Sequence, residues 1–278
     1  IRALALDAVK NANSGHTGTA MALAPLAHVL FSKVMNYDAA DPNWPDRDRF
    51  ILSAGHASML LYAMLYLTGC GLELEDIKKF RQLGSKTPGH PEVHLTPGVE
   101  VTTGPLGQGI ANAVGMALAE RHLRSRLGEE LINHRIWAIC GDGDLMEGIS
   151  HEADSLAGHQ QLGNLVVVYD DNRITIDGGT DLTLSDDAQQ RFEAYGWHVN
   201  NLGEAAEDVV ALESALTEAA EQIDRPSLII VRSHIAFPAP NAVDTPAAHG
   251  AITDDAEIAA AKEIMGFDPE ITFEVADD

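Results

Sequence analysis

The sequence has few basic residues. Its 278 residues include 18 Lys and Arg against 42 Asp and Glu, which gives a formal net charge of −24 at pH 7. Proteins that bind nucleic acid or anionic membrane surfaces attract these polyanions with basic patches, so we expect neither partner. A phosphate-binding site must therefore be local. It would rely on backbone N–H groups, helix N-termini, a bound cation or single histidines, of which there are 12.

Cysteines and long apolar runs are also scarce. The two cysteines, Cys70 and Cys140, lack the spacings typical of a zinc site or a disulfide framework, so we expect buried thiols. No run reaches the about 18 consecutive apolar residues of a membrane-spanning helix. No secretory signal opens the sequence either, and we expect a cytoplasmic protein.

The rest of the composition is that of a folded globular protein, with 45% hydrophobic and 22% charged residues. Segments with a helical period of about 3.6 residues alternate with short β-branched runs, a pattern typical of βα units. We therefore predict an α/β fold with a mostly parallel central sheet flanked by helices on both faces. No internal repeat and no internal linker interrupts the pattern, which indicates one domain.

The same patterns give the predicted elements. The strands are Phe50–Ser53, Arg135–Cys140, Leu165–Tyr169, Trp197–Asn200 and Leu228–Val231. The helices are Arg2–Ala12, Ala20–Met35, Ala57–Leu67, Gly107–Leu127, Leu145–His159, Ala205–Gln222 and Asp254–Met265. Two long stretches without periodicity, Gly84–Gly104 and Ser233–Gly250, are rich in Pro, Gly, Thr and His. Because loops of that length are more often functional than idle, we expect the site to draw on both.

The strongest local signal is Gly141-Asp142-Gly143-Asp144, between a predicted strand and a predicted helix. Open α/β sheets bind ligands at the carboxyl ends of their strands. The glycines would let a diphosphate approach the backbone, and the helix N-terminus would offer N–H donors. A carboxylate there would repel a diphosphate unless a cation lay between them, so Asp142 implies a metal ion. The alternative is a plain βα turn in which the Asp only caps the helix.

An amide side chain follows the next strand. Asn172 comes directly after Tyr169-Asp170-Asp171, at a neighbouring strand end. Mg²⁺ prefers octahedral oxygen ligands and usually combines few protein ligands with phosphates and water. Asp142, Asn172 and a nearby backbone carbonyl would satisfy it.

This pair resembles the fingerprint of thiamine diphosphate-dependent enzymes, and the surrounding segments resemble transketolase in particular. In family order they are Ser14-Gly15-His16, Leu52-Ser53-Ala54-Gly55-His56, Ser85-Lys86-Thr87-Pro88-Gly89-His90-Pro91-Glu92, Thr102-Thr103-Gly104-Pro105-Leu106-Gly107-Gln108-Gly109 and His249-Gly250-Ala251. The resemblance covers essentially all of the chain and is to the N-terminal, diphosphate-binding domain. The segments Phe237-Pro238-Ala239-Pro240-Asn241 and Gly266-Phe267-Asp268-Pro269 resemble the actinobacterial branch.

The resemblance implies two cofactors, thiamine diphosphate and Mg²⁺, with Ca²⁺ as a possible substitute for the metal. The implied metal ligands are Asp142, Asn172 and the carbonyl of Ile174. The implied cofactor contacts are His56, Gly104, Pro105, Leu106, Gly143, Asn172 and His249. His16, His90 and His249 are the implied catalytic residues facing the sugar, where imidazole can bind hydroxyls and move protons near neutral pH.

Two residues depart from the family pattern. Thr17 stands where the family usually has Pro, and Ala57 stands where it usually has Gly. We expect Thr17 to loosen the backbone after His16, and the Ala57 methyl to lie where the chain approaches the cofactor.

The function implied by the resemblance is ketol transfer in the pentose phosphate pathway. A two-carbon unit would pass from xylulose 5-phosphate to an aldose phosphate, with sugar phosphates as partners and a homodimer as the full-length assembly. The family's activating Glu and phosphate-binding arginines belong to the next domain, which nothing in this sequence matches, so we expect the chain alone to be inactive. We assign residues 1–268 to the cofactor-binding domain and 269–278 to the start of a linker.

Other interpretations stay open. One alternative is a non-catalytic cofactor-binding or dimerisation half, and another is part of a related dihydroxyacetone synthase or 1-deoxyxylulose 5-phosphate synthase. A weaker alternative is a phosphate-binding α/β protein in which Asp142 only caps a helix. Ile1 in place of Met favours a trimmed chain.

Overall fold

A computed structural model describes residues 1–276 and contains a five-stranded sheet in which every neighbouring pair of strands is parallel. The strand order is β1-β2-β3-β5-β4. The strands are β1 (Arg49–Leu52), β2 (Ile136–Gly141), β3 (Leu165–Asp170), β4 (His198–Asn201) and β5 (Ser227–Val231). The predicted α/β class is confirmed, and every predicted strand lies within one residue of an observed one at each end.

Helices pack on both faces of this sheet. They are α1 (Arg2–Ala12), α2 (Gly18–Ala22), α3 (Ala24–Val29), α4 (Ser58–Leu67), α5 (Leu74–Lys78), α6 (Gln108–Leu127), α7 (Asp142–Met146), α8 (Gly148–His159), α9 (Ala188–Tyr195), α10 (Val209–Glu221) and α11 (Asp255–Ile264). None of those in residues 1–276 combines the length and apolar content that crossing a bilayer requires.

The two faces of the sheet form two separate cores because successive strand side chains point in opposite directions. Ile139 and Val168 face the core that α1, α3, α4 and α10 cover. Ala138 and Val167 face the core that α6, α8 and α9 cover. Burial of one such aliphatic side chain stabilises the fold by about 1.5–3 kcal/mol. Cys70 and Cys140 lie one in each core as free, buried thiols, as predicted.

Two predicted helices are interrupted in the structure. The segment predicted as Ala20–Met35 is split into α2, α3 and a π-helical turn at Leu30–Val34. Pro25 lies at the start of α3, where it has no N–H to continue the ladder from α2. The segment predicted as Leu145–His159 is split at Glu147, whose backbone is extended.

Other boundaries differ for local reasons. Helix α7 already begins at Asp142, so the glycine-rich motif forms the first turn of a helix rather than a turn before it. Helix α10 begins at Val209 because the Asp208 side chain accepts hydrogen bonds from the N–H groups of Val210 and Ala211. The short helices α5 and α9 were not predicted from the sequence.

The sheet brings the predicted site residues together. Gly141, the last residue of β2, pairs with Asp170, the last residue of β3. Asp142 and Asn172 therefore leave adjacent strands at the same edge of the sheet. The long segments 84–104 and 233–250 contain no strand, and their only regular element is a 3₁₀ turn at Pro246–His249.

A buried ion pair fastens the last described residues to the domain. The Lys262 Nζ lies 2.7 Å from the Asp7 Oδ1 and donates to the Ile271 carbonyl at 2.9 Å. The other Asp7 oxygen accepts from the Phe273 N–H at 2.7 Å. Asp7 thus holds α11 through one carboxylate oxygen and the segment that follows α11 through the other.

Candidate active site

A cavity of about 440 Å³ opens at the carboxyl edge of the sheet. Most of the predicted cofactor and metal residues line it, namely His56, Gly104, Leu106, Asp142, Gly143, Asn172, Ile174 and His249. The remaining predicted residues, His16, His90 and Pro105, do not line this cavity. No Lys or Arg of the described chain lines it either, so a negatively charged ligand would find no cationic side chain on its wall.

The carboxylate of Asp142 is buried beneath this cavity, with the residue 3% exposed. Its Oδ1 accepts from the Tyr169 hydroxyl at 2.5 Å and its Oδ2 from the Arg173 N–H at 3.1 Å. Burial, reinforced by the charges of Asp170 and Asp171, raises the pKa of Asp142 to about 7. The Asp142 side chain caps no helix within the described residues, since the two groups that donate to it, the Tyr169 hydroxyl and the Arg173 N–H, lie outside α7. The interpretation of Asp142 as a mere helix cap is therefore wrong.

The amide of Asn172 is oriented by a second buried carboxylate. Its Nδ2 donates to Asp170 Oδ2 at 2.7 Å, and Asp170 also accepts from the Ser233 hydroxyl. The amide oxygen is thereby turned the other way, where it accepts from the Ile174 N–H at 2.9 Å. The Ile174 carbonyl oxygen accepts no hydrogen bond from within residues 1–276. Asp170 thus leaves the amide oxygen as the group that faces a ligand.

These donors fit a hard divalent cation. No group of three His, Cys, Asp or Glu side chains in residues 1–276 is placed to hold a metal, so a site built from such side chains alone is excluded for that part of the chain. Asp142, however, is a buried carboxylate that forms no ion pair within the described residues. A carboxylate, an amide oxygen and a free carbonyl suit a small cation that takes its other ligands from phosphate and water.

Four histidines from distant segments meet beside the cavity. The rings of His56 and His249 stack with their centroids 4.6 Å apart. The ring of His16 lies 5.4 Å from each of them and 5.9 Å from that of His90. The Nδ1 atom of His16 is buried without a hydrogen-bond partner among the described residues. This cluster, called the histidine cluster below, therefore offers unused ring nitrogens.

The histidine cluster is uncharged near neutral pH. Burial, followed by the charges of its neighbours, lowers the pKa of His56 to about 3 and that of His16 to about 4. Burial also lowers the pKa values of His90 and His249. Four imidazoles so close together can coexist because they are neutral, and neutral rings can either donate or accept a hydrogen bond.

The loops around the cluster are tightly packed. Gly104 has a φ of 139°, a conformation that only glycine adopts readily, and the ring of His90 lies against its Cα. A side chain at Gly55 would place its Cβ 2.6 Å from the Thr103 hydroxyl. Glycine is required at Gly55 because the backbone of residues 103–104 approaches it closely, and at Gly104 because of its positive φ.

Thr17 and Ala57, the departures from the family pattern, behave differently from expectation. The Thr17 N–H donates to the Gly250 carbonyl at 3.0 Å, and its hydroxyl accepts from the Ile252 N–H at 3.1 Å. Thr17 therefore fixes the loop that carries His249, through an N–H that Pro would lack, instead of loosening the backbone. The Ala57 methyl is fully buried in the core that α1 and α4 share and does not line the cavity.

Several residues that were not predicted also contribute to the site. Asp144 and Asp170 are buried carboxylates that orient neighbouring groups, and Tyr169 donates to Asp142. Thr19, Thr175 and Ile176 also line the cavity. Asp144 and Asp170 both lie within the sequence motifs described above. Their residue types and their positions at the strand ends were the features from which their roles could have been predicted.

Comparisons with known proteins agree with this geometry. The chain matches the family model described as "Transketolase, thiamine diphosphate binding domain" over residues 1–278. It is 54% identical to a transketolase of Mycobacterium tuberculosis over all of this chain, and 53% identical to one of Geobacillus stearothermophilus over 95% of it. It spans 40% of the length of each of these relatives.

Solved structures give the same result. A transketolase from Leishmania mexicana superposes with a TM-score of 0.97 at 46% identity, covering 99% of this chain and 42% of the other. A transketolase from Pichia stipitis in complex with sedoheptulose-7-phosphate superposes with a TM-score of 0.96 at 47% identity, covering 99% and 41%.

Proposed function

The chain belongs to the family of transketolase thiamine diphosphate-binding domains, and from that premise we propose that it supplies the diphosphate- and metal-binding half of a transketolase active site. The observation that carries this proposal is the convergence on one cavity of Asp142, Asn172 and the stacked pair His56 and His249. A second candidate function, that of a non-catalytic cofactor-binding module, is favoured for the chain by itself because the chain spans only 40% of the length of its relatives.

In this proposal Asp142, Asn172 and the carbonyl of Ile174 hold Mg²⁺, or Ca²⁺ in its place. Gly143, His56 and His249 would hold the diphosphate, together with the metal. The segment Gly104-Pro105-Leu106 lines the cofactor; Leu106 is 36% exposed, and one of its methyl groups packs against Gly143. The metal supplies the positive charge that this wall of the cavity lacks.

Bound thiamine diphosphate supplies the nucleophilic carbon and stores the electron pair released from the ketose. The residues of this chain bind and orient the reactants around it. Neutral His16, His90 and His249 donate hydrogen bonds to sugar hydroxyls or accept protons from them, since their ring nitrogens are free of ionic partners. Their lowered pKa values keep the accepting form populated at neutral pH.

The whole enzyme would move a two-carbon ketol unit from xylulose 5-phosphate to an aldose phosphate in the cytoplasmic pentose phosphate pathway. Solved transketolases from Pichia stipitis in complex with sedoheptulose-7-phosphate and fructose-6-phosphate support phosphorylated sugars as partners. We further propose that the complete protein is a homodimer, that residues 1–268 form the cofactor-binding domain, and that 269–278 begin a linker.

Calorimetric titration of thiamine diphosphate into the chain, with and without MgCl₂, tests the binding part of this proposal. We expect Mg²⁺-dependent binding that Asp142→Asn abolishes. Asp171→Asn is the matched control, because it removes the same charge directly after β3 at a residue that does not line the cavity. Equal affinity with and without Mg²⁺, or equal losses in the two variants, would contradict the metal assignment.

A ketol-transfer assay tests the half-site interpretation. Xylulose 5-phosphate, ribose 5-phosphate, thiamine diphosphate and Mg²⁺ are supplied, and glyceraldehyde 3-phosphate release is followed. We expect no turnover by the 278-residue chain alone and turnover once the second half of a transketolase is added. Turnover by the chain alone would mean that it already contains the activating carboxylate.

A further inference from the structure

We propose that the Asp144 carboxylate is a positioning group that holds three segments of the active site together, a role that rests on the proposed function of that site. Asp144 lies in α7, and its side chain is fully buried, with the residue 0% exposed. It is separate from the metal ligands, since Asp142 points its own carboxylate to Tyr169 and Arg173.

Each of the three segments donates a hydrogen bond to this carboxylate. Its Oδ1 accepts from the Ser53 hydroxyl at 2.7 Å and from the Gly107 N–H at 2.9 Å. Its Oδ2 accepts from the Gly141 N–H at 3.0 Å. Ser53 follows β1, Gly107 precedes α6 and Gly141 ends β2, so the three donors are far apart in the sequence.

Each donor is also close to a residue assigned to cofactor binding. Ser53 leads into the turn that carries His56, Gly107 directly follows Leu106, and Gly141 precedes Gly143. One carboxylate therefore connects every segment that reaches the diphosphate from β1, from β2 and from the loop before α6. We call these three donors and the Asp144 carboxylate the Asp144 hub.

The hub is reinforced on both sides. The Ser53 hydroxyl oxygen accepts from the Ile110 N–H at 3.1 Å, which continues the network into α6. The Ser150 hydroxyl donates to the Asp144 carbonyl at 2.5 Å. Gly107 has a φ of 75°, and a Cβ on it would lie 2.8 Å from the Glu147 Cβ, so its backbone has little freedom to move away.

The simpler alternative is that Asp144 only caps the first turn of α7. A cap requires only the bond to Gly141, whereas the hub also includes Gly107 and Ser53. An Asn at this position separates the two ideas. The Gly107 and Gly141 N–H groups donate to different oxygens of Asp144, so the NH₂ group of an Asn would face one of them donor to donor.

Amide hydrogen exchange measured by NMR on the chain without ligand tests the hub directly. In Asp144→Asn we expect exchange at both Gly107 and Gly141 to become at least tenfold faster. Asp154→Asn is the matched control, because Asp154 is a buried carboxylate on α8, 1% exposed, and it does not line the cavity. In Asp154→Asn, the exchange rates at Gly107 and Gly141 should stay within about threefold of the wild-type rates. Unchanged exchange at Gly107 in Asp144→Asn would reduce Asp144 to a helix cap.

Binding of thiamine diphosphate with Mg²⁺ provides the functional readout. We expect the dissociation constant to rise about 10- to 100-fold in Asp144→Asn, the range found for groups that orient metal ligands, and to stay unchanged in Asp154→Asn. If the wild-type chain binds no thiamine diphosphate, the proposed function fails for this chain while the exchange data still decide the hub. If wild type and Asp144→Asn bind equally well, the hub fails and the proposed function stands.

Ser53→Ala covers the case in which Asp144→Asn does not fold. It removes one donor and leaves the carboxylate with two N–H groups. Faster exchange at Gly107 and Ile110 in this variant supports the hub, and unchanged exchange at both overturns it.

Discussion

Replacement of Asp7 by Asn should be strongly destabilising. The Asp7 and Lys262 side chains are 3% and 2% exposed and lie 2.7 Å apart, so this ion pair is almost completely shielded from solvent. Asp7→Asn leaves the buried Lys262 ammonium without a counter-charge, with only the Ile271 carbonyl and the new amide oxygen as neutral acceptors. Removal of one member of a buried pair costs about 3–5 kcal/mol. Because Asn keeps one acceptor, we expect about 3 kcal/mol, equivalent to a fall in Tm of roughly 6–12 °C for a chain of this size.

Urea unfolding followed by circular dichroism measures this change. The double variant Asp7→Leu with Lys262→Met is the decisive comparison, because an apolar pair of similar volume removes the uncompensated charge. We expect it to recover most of the lost free energy of unfolding. A loss below about 1 kcal/mol in Asp7→Asn, or a double variant no more stable than that single one, would refute the reasoning.

Three further predictions concern the site and the thiols. Burial lowers the pKa of His56 to about 3 from an unfolded value near 6.5, so the stability that neutral His56 contributes is full above pH 6.5 and is lost as pH falls. Between pH 7 and 5, the free energy of unfolding of His56→Gln should therefore fall by about 1–2 kcal/mol less than that of wild type, measured by urea unfolding. Equal losses in the two proteins would contradict the pKa shift. Tyr169→Phe removes the hydroxyl that donates to Asp142 and should weaken Mg²⁺ binding about tenfold by calorimetry; unchanged affinity would mean that this bond does not position the ligand. Burial raises the pKa of the Cys140 thiol, and Cys70 is buried as well, so Ellman's reagent should label neither cysteine in the native chain and both in guanidinium; rapid native labelling would contradict their burial.

The elements that could be predicted from the sequence were those set by local pattern. The strands β2 and β3 are nearly continuous apolar runs, and α1 follows its hydrophobic period from the first residue to the last. The errors came from single side chains acting over short distances. Pro25 separates α2 from α3, and the Asp208 cap delays the start of α10. Helix α9 was missed although Asp187 caps its start and Gly196 ends it in the left-handed conformation, because its eight residues carry a weak apolar pattern.

The site was predictable where a motif requires a residue type and unpredictable where a partner comes from elsewhere in the chain. Asp142 and Asn172 could be paired because parallel strands end at the same edge. The hydrogen bond from Ser233 to Asp170, which fixes the carboxylate that orients Asn172, depends on the register of β3 against β5, and no local pattern encodes that register. The role of Thr17 was unpredictable for the same reason. Its hydrogen bonds to Gly250 and Ile252 fix the backbone that it was expected to loosen.

The arrangement explains how a chain with a net charge of −24 can bind a diphosphate at all. Its cavity wall carries no Lys or Arg among the described residues, and its histidines are neutral, so these groups offer hydrogen bonds but no compensating charge. Beneath the cavity, Asp142 and Asp170 are both buried carboxylates whose pKa values are raised by burial. In the proposed function, a divalent cation between these carboxylates and the diphosphate would lower the electrostatic energy on both sides at once. Because the fold places these acidic groups at the strand ends, the metal and the diphosphate should bind cooperatively rather than independently.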